Sequence, residues 1–121
     1  MNVKPDLKIR TKQFAIRVIR LSRALPRNEE ARVLGKQLLR SATSVGANYR
    51  GACRSRSRAE FIAKLGVVLE EADETVFWLE LLFEADIVGQ ARLAPLIKEA
   101  EELTSIFVAS LRTAKGLSSS T

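Results

Sequence analysis

The sequence predicts an all-α protein, an antiparallel up-down four-helix bundle. Three observations carry this. Apolar residues recur at helical spacing through four successive stretches. The joints between them are short and hold proline, glycine or capping residues. No run alternates apolar and polar residues as a strand does. Amphipathic helices on short joints bury their stripes by packing side by side in alternating directions. The chain's 121 residues suffice for a real core, so one domain is expected over residues 1–121.

The first helix is expected over residues 6–25. Leu7, Phe14, Val18, Leu21 and Leu25 form its apolar set; Lys8, Lys12, Arg17, Arg20 and Arg23 cover much of the rest. Pro26 ends it, because proline cannot continue the hydrogen-bond ladder. Asn28 caps the second helix, residues 29–52, with Glu29 and Glu30 in its positive first turn. Its inner face is Leu34, Leu38, Ser41, Val45, Asn48 and Ala52. Small residues follow one another from Ser41 to Ala47, so a neighbour can approach closely, and Gly46 marks a close contact or a bend.

Ser57 and Glu60 form a capping box before the third helix, residues 58–87. At the standard rise that helix is about 40 Å long. Gly89 is the expected left-handed residue closing it. The fourth helix is expected over 90–115, with Pro95 near its first turn. Its stripe is Leu93, Leu96, Ile97, Ala100, Leu103, Phe107 and Leu111. Residues 1–5 are expected to fray and the tail 116–121 to be disordered.

The third helix carries two apolar faces. Phe61, Leu65, Val68, Leu69, Ala72, Val76, Leu79, Phe83 and Ile87 share one arc, the core side. Val67, Phe77, Trp78 and Leu81 lie roughly opposite, with Glu70 and Glu74 among them. An apolar patch on the outside of a bundle marks an interface. The expectation is a homo-oligomer anchored on Phe77 and Trp78, with basic residues of another subunit meeting the two glutamates. Filling of an irregular bundle is the plainer alternative.

Charge is divided along the chain. Residues 1–58 hold 15 Lys/Arg against 3 acids, net +12; residues 59–121 hold 5 against 11, net −6. On the second helix Arg32, Lys36, Arg40, Arg50 and Arg54 fall within about 80° of one another. Such a line can track phosphates, which points to RNA or DNA. Tyr49 is the one aromatic nearby for stacking on a base. The alternative is a structural or adaptor homo-oligomer that binds a protein partner and no nucleic acid, its cations met by acidic residues.

Little points to catalysis. The chain has no histidine, which removes the usual general base and most zinc sites. Cys53 is the single cysteine; nearby arginines can lower a thiol pKa, but no partner base accompanies it. The carboxylates of the third helix lack the Glu-x-x-His pattern of di-metal bundles, and no GxxxxGK[ST] loop is present. We expect neither an enzyme nor a cofactor or metal. No apolar run approaches the roughly 20 residues of a membrane span. The N-terminus lacks a signal-peptide apolar region, and one cysteine fits a reducing compartment. A cytoplasmic protein with no membrane partner is expected.

Gln37-x-x-Arg40-Ser41-Ala42-x-Ser44-Val45-x-Ala47-Asn48, then RSRSRAEF over residues 54–61, Leu65, Glu71-Ala72-x-Glu74-Thr75 and Trp78-Leu79 resemble the four-helix-bundle family encoded in intervening sequences of bacterial 23S ribosomal RNA. The match spans the second and third helices, about half the chain. The resemblance implies a bacterial up-down bundle that assembles as a ring of five subunits. The chain is similar also to the accessory variability protein of diversity-generating retroelements, a pentameric basic bundle that binds nucleic acid and a reverse transcriptase. Arg40 and Asn48 carry over as structural positions placed to hydrogen-bond between helices.

Overall fold

A computed structural model describes residues 6–117; residues 1–5 and 118–121 lie outside it, and with them the expected loose ends except Gly116 and Leu117, whose N–H groups donate to Thr113 O and Arg112 O. The described residues form four helices and no strand: α1 (Leu7–Arg23), α2 (Glu29–Ala52), α3 (Arg58–Glu84) and α4 (Gln90–Ala114). Each helix packs on the next, and α1 closes the ring against α4; α1 and α3, like α2 and α4, face each other across a diagonal without backbone contact. The α2–α3 seam is the most extensive and the α1–α4 seam the thinnest.

Helices α1, α2 and α3 each start on a side-chain cap. The Asp6 carboxylate accepts from Lys8 N and Ile9 N at 3.0 and 3.3 Å. Asn28 Oδ1 accepts from Ala31 N at 2.9 Å. Ser57 Oγ accepts from Glu60 N at 3.0 Å, while Glu60 Oε1 reaches back to Arg56 N at 3.4 Å, one residue before the cap. These contacts satisfy N–H groups that have no partner inside the first turn.

The interior is built by all four helices. Phe14 and Val18 of α1, Leu38 and Val45 of α2, Leu65, Val68, Leu79 and Leu82 of α3, and Leu93, Leu103 and Phe107 of α4 are at most 1% exposed. Around Phe14, Val45, Ala72 and Ala100 the packing leaves a gap too small for a water molecule. Among the described residues three polar ones, Thr11, Ser41 and Thr75, are buried with the core. Thr11 donates to Leu7 O at 2.6 Å. Thr75 and Ser41 lie with their hydroxyls 3.0 Å apart across the α2–α3 seam, each also within reach of a carbonyl of its own helix.

Four local expectations are corrected. Helix α3 ends at Glu84, three residues early, and its left-handed residue is Asp86 (φ 57°) rather than Gly89. Asp86 N donates to Phe83 O and Ile87 N to Leu82 O, which turns Ile87 back onto the core. Gly89 instead caps α4 with extended backbone. Pro95 is the sixth residue of α4, past the first turn, so the carbonyl of Ala91 loses its helical donor. The tight approach on α2 falls at Gly35, where a Cβ would meet Leu25 Cδ1 at 2.5 Å, whereas a Cβ at Gly46 would rest at an ordinary 3.5 Å from Thr11 O.

Candidate nucleic-acid and assembly surfaces

The basic stripe of α2, which Arg54 continues past the C-cap Cys53 into the joint, divides into bound and free cations. Arg32 forms a fork with Glu29 one turn earlier, at 2.9 Å on both oxygens. Arg40 turns toward α3, where it donates to Glu71 Oε2 at 3.1 Å and to Glu74 Oε2. Its Nε also reaches Gln37 Oε1 at 3.2 Å. Lys36, Arg50 and Arg54 are exposed and form no ion pair among the described residues. Tyr49 is not an exposed stacking platform. Its ring packs at 41° on Phe107, centroids 5.6 Å apart, and burial, then the neighbouring Cys53, pushes its hydroxyl pKa up to about 12.

Arg40 joins two helices, as the resemblance implies, but Asn48 does not. Its amide donates to Ser44 O of its own helix at 2.9 Å. The residues that carry the resemblance nonetheless converge. Gln37, Arg40, Glu71, Glu74 and Trp78 form one hydrogen-bonded chain on the outer edge of the α2–α3 seam, and Ser41 and Thr75 meet just beneath it.

On the outer side of α3, Val67 and Phe77 are 44% and 51% exposed. Trp78 is only half open: it packs against the core, stands edge-on to Phe77 at 5.0 Å, and donates Nε1–H to Glu74 Oε2 at 3.0 Å. Leu81 is half-buried and Glu70 exposed. Glu74 finds its basic partner within its own chain, in Arg40, so it needs none from another subunit.

Two features escaped sequence reasoning. Arg10 of α1 forks onto Glu99 of α4, with Nε and Nη2 at 2.7 and 2.8 Å, and reaches Glu102 at 3.0 Å. Hydrogen bonding to Glu99 raises the guanidinium pKa above its ordinary value. Arg10 sits three residues after Leu7 and four before Phe14, so its place beside the apolar stripe was a readable signal. Ile9 and Ile16, 54% and 38% exposed, form an apolar line on the outer side of α1.

Among the described residues no three His, Cys, Asp or Glu side chains are placed to hold a metal ion, and Cys53 is exposed. No described helix is long and apolar enough to cross a membrane.

Fold and seam together define a class: an all-α bundle of four consecutive helices, its second and third joined by a polar network around one arginine. The chain belongs to the 23S rRNA-intervening sequence protein family, whose model matches residues 6–109. It is similar to a crystal structure, at 1.70 Å resolution, of a protein of unknown function from the S23 ribosomal protein family of Bacteroides thetaiotaomicron. The two are 35% identical with a TM-score of 0.81, over 87% of this chain and 97% of the other. No curated protein matches the chain.

Proposed function

We propose that this chain is a non-enzymatic, oligomeric bundle that binds RNA or DNA through basic residues of α1 and α2. One observation carries the reading: acids within the chain hold Arg10, Arg32 and Arg40, yet Lys36, Arg50 and Arg54 remain exposed and unpaired beside the basic α1. Exposed cations spaced along a helix suit a polyanion and attract it from a distance. Self-association uses the outer side of α3, with Phe77 as the exposed anchor and Val67 and Leu81 beside it; five subunits is what the resemblance implies. The cytoplasm is the proposed location. The occupied state of Arg32 and Arg40 favours the second reading, an adaptor oligomer whose surface meets a protein.

Light scattering with and without a structured RNA, at 50 and 200 mM salt (the range over which phosphate contacts lose most of their affinity), tests the proposal. We expect an oligomer that survives the higher salt and gains mass with RNA at the lower. The triple substitution Lys36→Glu, Arg50→Glu, Arg54→Glu should abolish the gain without changing the protein's own mass. An oligomer that ignores RNA at both salts supports the adaptor reading. A monomer at both refutes the α3 interface.

A further inference from the structure

We propose that the groove at the α1–α2 corner seats one unpaired nucleotide of a single-stranded nucleic acid. The inference rests on the nucleic-acid reading above and goes beyond it, naming the form of the polymer and the place of a base. The groove measures about 680 Å³, inside the roughly 300–1,000 Å³ range of small-molecule sites. Its floor is apolar: Leu25, Pro26, Ala31, Gly35 and Leu39. Gly35 shapes it, since the missing Cβ lets Leu25 lie directly on α2.

The rim is cationic. Arg23 and Arg27 come from the end of α1 and the turn, and Arg32 and Lys36 from α2. Glu29 is the one acid in the lining, and Arg32 already holds it. Arg23, Arg27 and Lys36 form no ion pair among the described residues. An apolar floor beside the three unpaired cations suits a planar base flanked by phosphates, with aliphatic side chains in place of an aromatic platform. The oxygen of Asn28 is committed to the helix cap, so the floor offers little to read a base edge, and binding is tolerant of sequence.

A duplex keeps its bases stacked inside and presents only its backbone to the rim; an unpaired nucleotide reaches the floor. Lys36 belongs to both the groove and the α2 stripe. A strand leaving the groove continues along α2 toward Arg50, about 21 Å further at the helical rise.

The test uses a 15-nucleotide single strand with a central 2-aminopurine, and the same strand paired in a duplex. The wild-type chain should bind the single strand at least tenfold more tightly, with a saturable change in 2-aminopurine fluorescence. Arg23→Glu with Arg27→Glu, both at exposed positions, should remove that change and weaken single-strand binding more than tenfold. Arg50→Glu with Arg54→Glu should weaken both forms alike and keep the change. A groove variant that retains the fluorescence change, or loses both forms equally, overturns the inference while leaving the nucleic-acid reading standing. A groove variant that alters the oligomer's mass instead also overturns it, because the groove then seats another subunit. A wild-type chain that binds neither form removes the parent reading as well.

Discussion

The α2–α3 and α1–α4 seams hold the bundle by different means. Between α2 and α3 the helices lie close over most of their length, with a buried Ser41–Thr75 contact inside and the Arg40 network outside. Either layer fixes how the two helices are set against each other. Between α1 and α4 the contact is thin, and one arginine forks onto Glu99 and Glu102. Similar ion pairs therefore carry unlike burdens: at the first seam the pair decorates a packed surface, and at the second it stands in for packing.

Substitutions at the two arginines should break that comparison. Arg10→Ala should have the larger effect, about 2 kcal/mol of stability, because Arg10 is itself only 25% exposed and its bidentate contact spans the thinner seam; the acids left behind, Glu99 here and Glu71 at Arg40, are similarly buried at 18% and 16%. Chemical denaturation measures the loss, and amide exchange should rise first in the first turns of α1. Arg40→Ala should cost about 1 kcal/mol, since that side chain is 48% exposed and the core beneath it is intact. Its sharper mark is spectral: Trp78 fluorescence should shift as Glu74 is released. Equal losses at both sites would mean that the seams do not differ as described. The smallest effect is a gain. Helices α3 and α4 both end in a left-handed residue, Asp86 in one and Gly116 in the other. Asp86→Gly should stabilise the chain by about 0.5–1 kcal/mol, and an unchanged denaturation midpoint would contradict the strain.

The helices were readable because each one's periodicity, and for α1 to α3 its capping chemistry, lies within a few residues. Asn28 and Ser57 cap where their spacing says. Gly89 misled because a nearer residue, Asp86, already met the left-handed requirement and Ile87 had a core to return to. The site residues were harder to read. Arg40 and Lys36 look alike in a stripe, yet Arg40 lies on the edge that faces the acids of α3 and Lys36 lies away from it. Which edge faces which neighbour is decided by packing between distant segments. Tyr49 likewise reads as a surface aromatic until Phe107 is brought against it. Arg10 meets an acid 89 residues away, a separation that no local pattern encodes.

That separation bears on the order of assembly. Three seams join consecutive helices across joints of five residues, 24–28, 53–57 and 85–89, and each needs only a short loop to close. The α1–α4 seam alone requires nearly the whole chain to be gathered first, and the entropy of that closure falls due late. Contacts made after the rate-limiting step govern how fast a protein comes apart, not how fast it forms. Arg10 is in this sense a clasp: Arg10→Ala should leave the folding limb of a chevron in place and lift the unfolding limb.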